Sequence, residues 1–134
     1  AMSENVKHVF FVDINETNRE FVKFRAKKLG LEQKISFYKS VEDTYVNKFD
    51  SIVCLDVLEH LEDPALQLDK FYQIMEEDSI SIFNWYFYKG DNNEYPFHID
   101  DEILIKNFFE TLQYKFIEIF HPMLITTRVY KKRV

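Results

Sequence analysis

Short apolar runs that close on polar residues alternate along this chain with stretches whose apolar positions recur at helical spacing, a pattern of strands and helices in turn. Val9 to Val12 is such a run, ending at Asp13. Thr17 and Glu20 behind it have the spacing of a capping box, so a helix is predicted there, with Phe21, Val22, Phe24 and Leu29 as its apolar positions. Lys27, Lys28 and Gly30 mark its end. Ile35 to Tyr38 reads as a second strand, Val41 to Asn47 as a turn or short helix, and Ser51 to Leu55 as a buried third strand closing at Asp56. Asp63 and Pro64 supply an N-cap and an N1 proline for a helix with Leu68, Phe71 and Met75 on one face. Ile80 to Phe83 is the next strand.

The segment from Asn84 to Phe97 mixes aromatics with turn residues and reads as a loop or lid. A helix opened near Asp100 follows, presenting Ile105, Phe108, Phe109 and Leu112. Phe116 to Phe120 and Leu124 to Tyr130 then form two β-rich runs separated by His121 and Pro122, a hairpin by their proximity. The expected fold is α/β: a Rossmann-like three-layer sandwich, its sheet mostly parallel with a C-terminal antiparallel hairpin. At 134 residues, 46% of them hydrophobic, the chain suits one domain over 1–134.

Charge and cysteine usage narrow the partners. A net charge of −6 argues against a surface that grips nucleic acid through its phosphates, and only Lys131, Lys132 and Arg133 form a basic run, read as a solvated chain end. No stretch reaches the roughly 18 apolar residues of a membrane span, and no basic-then-apolar leader opens the chain. Cys54, the single cysteine, reads as a small buried hydrophobe. These features fit a cytoplasmic protein without a membrane partner, and no metal-ligand set is legible.

Ligands of open α/β sheets bind at the carboxyl ends of the strands, which directs attention to Asp13, the Ser40 to Glu42 turn and Asp56. A carboxylate ending a strand can accept hydrogen bonds from both hydroxyls of a ribose, or it can cap the next turn. The stretch Phe49-Asp50-Ser51-Ile52-Val53-Cys54-Leu55-Asp56-Val57-Leu58-Glu59-His60-Leu61-Glu62-Asp63-Pro64 resembles the fourth-strand motif of class I S-adenosylmethionine-dependent methyltransferases, an apolar strand leading into an "E/D-V-L-E-H" turn and an aspartate-proline helix start. The similarity extends from about Val9 to Arg128.

That resemblance implies S-adenosylmethionine as cofactor, S-adenosylhomocysteine as product and a small-molecule acceptor. It implies Asp13, with adjacent Ile14, at the ribose; Ser40, Val41 and Glu42 around the adenine; and Leu55 and Asp56 along the cofactor's edge. His60 is implied near the acceptor as a catalytic group, with Trp85, Tyr86 and His98 lining the acceptor's side.

Three departures stand out. The family's first strand and glycine-rich loop are missing, since the two glycines are Gly30 and Gly90 and only a dozen residues precede Asp13. Side-chain-free backbone lets a cofactor approach closely, so the chain reads as truncated at its N-terminus. Ser40 stands where an acid often meets the adenine amine, and Met75-Glu76-Glu77-Asp78 replaces a basic, glycine-containing turn, setting acids at a helix C-terminus. Because the missing strand is normally central, either the strands ending at Asp13 and Asp56 pair directly, or a partner chain or second copy supplies the strand and loop, or the segment was lost. An oligomer is therefore expected.

Two other readings compete. Val12 to Glu20 resembles the opening of a response-regulator receiver domain, with Asp56 as the phosphorylated aspartate, but Ile14 replaces the second metal-binding acid and the C-terminal strand is left over. A non-catalytic binding or scaffold module with the methyltransferase fold is the second.

Overall fold

A computed structural model describes residues 5–123 and 126–134. The chain groups into two compact units, Ala1–Asn47 and Lys48–Val134. Each is described by itself.

The first unit contains β1 (Val9–Val12), α1 (Glu16–Lys28) and β2 (Ile35–Tyr38), with short 3-10 turns at Glu32–Lys34 and Glu42–Thr44. β1 and β2 pair in parallel, Val9 opposite Ile35 and Val12 opposite Tyr38. The expected capping box is displaced. Asn15 caps α1, its side chain accepting from the backbone N–H of Thr17 at 2.9 Å and of Asn18 at 3.4 Å, so the helix begins before Thr17 can act as its cap. Gly30 adopts φ +66°, the left-handed conformation that ends a helix at little steric cost. The apolar positions of α1 are less covered than their spacing implied. Phe21, Phe24 and Leu29 are exposed, and Ala26 is the buried residue of the helix.

The second unit carries β3 (Phe49–Cys54), α2 (Pro64–Ile74), β4 (Met75–Phe83), α3 (Glu102–Lys115), β5 (Phe116–Ile119) and β6 (Arg128–Lys132). Its sheet runs in the order β3-β4-β6-β5. β3 and β4 are parallel, while β6 lies antiparallel between β4 and β5. The expected C-terminal antiparallel pair is present, with the later strand innermost. Asp63 and Pro64 cap and open α2 as expected, and Asp101 caps α3 through the N–H groups of Ile103 and Leu104. α2 packs on α3. Leu58, Leu68, Phe83 and Phe108 are fully buried, and the Phe83 ring meets Phe71, Phe116 and Tyr130 at centroid distances of 5.5, 5.7 and 5.7 Å.

Three further expectations are corrected. β3 is not buried throughout, since Val53 is 63% exposed on a strand that, among the described residues, is laddered on one side, to β4. Among the described residues β1 is laddered to β2 within the first unit, and β3 to β4 within the second. Met75 does not continue α2; its extended backbone (φ −79°, ψ 138°) ends the helix, so Glu76, Glu77 and Asp78 belong to β4. There the register steps from Phe49 opposite Met75 to Ser51 opposite Ile80, a bulge that keeps the three acids exposed instead of crowding a helix end. The basic run is no free chain end either. Lys132 Nζ donates to Met75 O at 2.9 Å and sits 4.5 Å from the Tyr72 ring centre, while Arg133 N–H donates to Lys115 O at 2.8 Å. β6 begins at Arg128, after a bend at 126–127; the expected strand positions Leu124 and Ile125 lie outside the described residues. Among the described residues no helix is long and apolar enough to cross a membrane.

Candidate functional site

In the first unit, Asp13 follows the last residue of β1 and donates its own N–H to Tyr38 O at 3.2 Å, which anchors it to the end of β2. One carboxylate oxygen accepts from Asn15 N–H at 2.7 Å and the other from the Asn18 side-chain amide at 3.0 Å. Asp13 thus holds the turn into α1, as the capping alternative requires. Each oxygen accepts one described bond, and a carboxylate offers about four acceptor positions, so the capping role leaves capacity for hydroxyls. Ile14 is 80% exposed, and its carbonyl accepts from Arg19 at 3.0 Å. Past β2, Ser40 N–H donates to Asp43 Oδ2 at 3.1 Å, while Val41 O accepts from the Thr44 hydroxyl and N–H. Those bonds fold Ser40, Val41 and Glu42 into one compact turn at the carboxyl end of β2.

In the second unit, β3 gives way to Leu55, which is 42% exposed, and to Asp56, whose φ of +53° is left-handed. A residue with a Cβ enters that region at a cost, so its surroundings must hold it. Asn84, at the end of β4, does so. Its side-chain oxygen accepts from Asp56 N–H at 2.6 Å, its amide donates to Asp56 Oδ1 at 2.7 Å, and its own N–H donates to Cys54 O at 3.3 Å. Replacing Asn84 by alanine is expected to lower stability by ~1–2 kcal/mol, through loss of two side-chain bonds and of the brace on a strained residue. Denaturant unfolding checks this, and an unchanged midpoint would show that the pair braces nothing.

Asp56 leads into a 3-10 turn, Leu58–His60, pinned by the fully buried Leu58. Glu59 is buried too, and its carbonyl accepts from Ile99 N–H at 2.9 Å, which ties the aromatic loop to this turn. Within the loop, Gly90 takes φ +86°, a conformation glycine adopts freely, where a Cβ would collide with the Glu94 side chain. Tyr95 N–H donates to Lys89 O and His98 N–H to Tyr95 O, so the loop folds back on itself. His98 is thereby delivered to His60, the two rings 4.7 Å apart edge to face. Tyr95 stacks on His98 at 5.0 Å, and Tyr86 meets it at 5.8 Å.

His60, His98 and Tyr86 are therefore one cluster. Trp85 is packed elsewhere: its ring contacts Phe108, Phe109 and Tyr130, with Arg128 5.9 Å above it, which makes it part of the packing between α3 and β6. Sequence reasoning missed Glu59 and Asn84. An asparagine at a strand end reads as turn chemistry, and a glutamate in a polar turn reads as solvated. Cys54 is the buried hydrophobe expected of it: burial, and secondarily the charge of Glu59, push its thiol up to about 12, so it holds its proton at neutral pH.

No curated protein sequence matches the chain. Solved structures do. The N-methyltransferase NodS from Bradyrhizobium japonicum WM9 superposes with a TM-score of 0.65 at 14% identity, over 94% of this chain and 74% of that one. Its complex with S-adenosyl-L-homocysteine gives 0.68 at 16%, over 94% and 67%. The 4+2 cyclase SpnF gives 0.63 at 13%, over 87% and 46%. A fold shared by proteins with different activities says nothing by itself about chemistry, but it establishes the Rossmann-like α/β architecture. A family model described as a methyltransferase domain matches residues 1–95, most of the sequence and the part that holds Asp13, Asp56 and His60, and the chain belongs to that family.

Proposed function

We propose that this chain serves methyl transfer from S-adenosylmethionine to a small-molecule acceptor, releasing S-adenosylhomocysteine. The observation that supports this most is Asp13, a half-buried carboxylate fixed at the end of a parallel strand with acceptor capacity to spare, within a methyltransferase-family chain. Asp13 and Ile14 serve the ribose, the Ser40 to Glu42 turn the adenine, and Leu55 and Asp56 the cofactor's edge. S-adenosylhomocysteine bound to the similarly folded NodS agrees with that choice of cofactor.

S-adenosylmethionine, when bound, would supply a sulfonium methyl group, and an acceptor lone pair held in line with the carbon–sulfur bond would take it while that bond's electrons stay on sulfur. Alignment does most of the work. When the acceptor arrives protonated, His60 takes the proton. Its Nδ1 lies 3.4 Å from Phe97 O, a contact in which only the ring can donate, so Nε2 is left as the basic atom. Tyr86 and His98 line the acceptor's side.

With two glycines, both spent on turns, this chain has no glycine loop for the methionine end. We take that cradle to come from a partner chain or from sequence outside these 134 residues, while the nucleoside side of the pocket carried by this chain binds S-adenosylhomocysteine by itself. The one-sided ladder of β3 suits such an addition. The negative charge disfavours nucleic acid as acceptor.

The test is S-adenosylhomocysteine formation from S-adenosylmethionine across a panel of small hydroxyl and amine acceptors. Acceptor-dependent product supports the proposal. Cofactor binding without product under every condition, with the partner chain present, contradicts it and favours a scaffold, and Mg-dependent phosphorylation of Asp56 would favour a receiver.

A further inference from the structure

Glu59, His60 and His98 converge although the sequence showed no metal-ligand pattern. Each offers one ligand atom, and the three atoms lie within 4.8 Å of one another. Glu59 is 3% exposed, and its Oε2 has no hydrogen-bond partner. A buried carboxylate oxygen gives up its hydration and needs a donor or a cation in return. Neither exists among the described residues for that atom.

Both imidazoles are oriented in the manner of metal ligands. His60 Nδ1 lies 3.4 Å from Phe97 O and His98 Nδ1 lies 3.1 Å from Tyr88 O. A carbonyl oxygen can only accept, so Nδ1 carries the proton in each ring and Nε2 keeps its lone pair. Backbone carbonyls commonly fix the tautomer and angle of metal-binding histidines in this way. Tyr86 and Tyr95 pack on His98 and limit its rotation.

We propose that Glu59, His60 and His98 form a two-histidine, one-carboxylate site for a divalent first-row transition ion. The donor set is suited to zinc, iron or cobalt, whereas calcium and magnesium favour oxygen-only shells. Zinc ligands sit about 2.0–2.2 Å from the ion, which puts tetrahedral neighbours roughly 3.4 Å apart. The three donors therefore close by about an ångström on loading, a movement within the reach of side chains on a short turn and a loop. Three protein ligands leave coordination positions open. On the methyl-transfer reading, an acceptor oxygen in an open position would lose its proton more readily, and His60 would then act as ligand, not as base. Ion binding itself does not rest on that reading.

The experiment is calorimetric titration of the metal-free full chain with Zn²⁺, paired with Co²⁺ loading read by visible absorption. One ion per chain is expected, with cobalt bands that vanish in His98→Ala. His98→Ala and Glu59→Gln should each weaken Zn²⁺ binding by at least ~100-fold, while His8→Ala, distant in sequence and hydrogen-bonded to Ser36, leaves it unchanged. Circular dichroism of each variant separates loss of ligand from loss of fold, and His98→Ala decides the matter should Glu59→Gln unfold. Absence of stoichiometric binding, or full affinity in folded His98→Ala, overturns the site. S-adenosylhomocysteine binding measured on the same samples keeps the two readings apart: cofactor binding without zinc overturns the metal site alone, and zinc binding without cofactor overturns the methyl-transfer reading alone.

Discussion

Phe83→Ala is expected to destabilise the protein by about 3–5 kcal/mol, the largest stability loss of any single truncation in the second unit. The ring is fully buried, and three other aromatic rings, from α2, β5 and β6, lie against it. Removing it forfeits the transfer free energy of a phenyl group and leaves a cavity that rings held by separate elements cannot collapse to fill. Since whole domains are stable by only about 5–15 kcal/mol, a large fraction of the variant should be unfolded at modest denaturant. Guanidinium unfolding followed by far-ultraviolet circular dichroism checks this. Phe97→Ala, at a residue 84% exposed, is the matched control and should shift the midpoint little. Equal midpoints for the two variants would contradict the assignment of the core.

The second large effect belongs to chemistry. In the metal-free chain His60→Ala should lower turnover by about 10²–10⁴-fold, the usual contribution of a positioned general base, with thermal stability nearly unchanged because the side chain is exposed. The loss should appear in kcat more than in KM, since a proton acceptor acts on the transition state. His121→Ala, at a histidine outside the cluster, serves as the comparison and should keep full turnover. Undiminished kcat in His60→Ala would remove this residue from the mechanism.

Much of this arrangement was legible before the structure, and the reasons are local. Val9–Val12 closing on Asp13, and β3 closing on Asp56, were visible because a strand that dives into a sheet must be apolar and its polar terminus marks where it emerges. The Asp63-Pro64 helix start follows from cap chemistry alone. What failed was whatever depends on partners distant in sequence. The apolar spacing of α1 gives a face but not its cover, and Phe21 and Phe24 are exposed. The acids after Met75 looked like a strained helix end, because a β-bulge opposite Phe49 leaves no local signal.

The site divides along the same line. His60 and His98 could each be suspected singly, but their meeting depends on the backbone bond from Ile99 to Glu59, which no periodicity announces. Trp85 was implied at the acceptor's side by the family resemblance. Its ring lies against Phe108 of α3 and Tyr130 of β6, contacts between residues distant in sequence that its spacing does not announce. Asn84 escaped notice because its role is to brace a left-handed Asp56, and backbone strain is invisible in a residue list.

Calorimetric titration of the full chain and of Asp13→Asn with S-adenosylhomocysteine tests the central claim most directly. Asparagine retains an oxygen for the Asn15 N–H but loses the charge and one acceptor, so folding should be preserved while ribose hydroxyls lose charge-assisted bonds, each contributing about 1.5–3 kcal/mol. Saturable one-to-one binding by the parent chain, weakened in the variant by on the order of 10- to 100-fold, is the predicted result. A folded parent chain that releases no heat and binds no S-adenosylhomocysteine, or a variant that binds as tightly as its parent, would contradict the account.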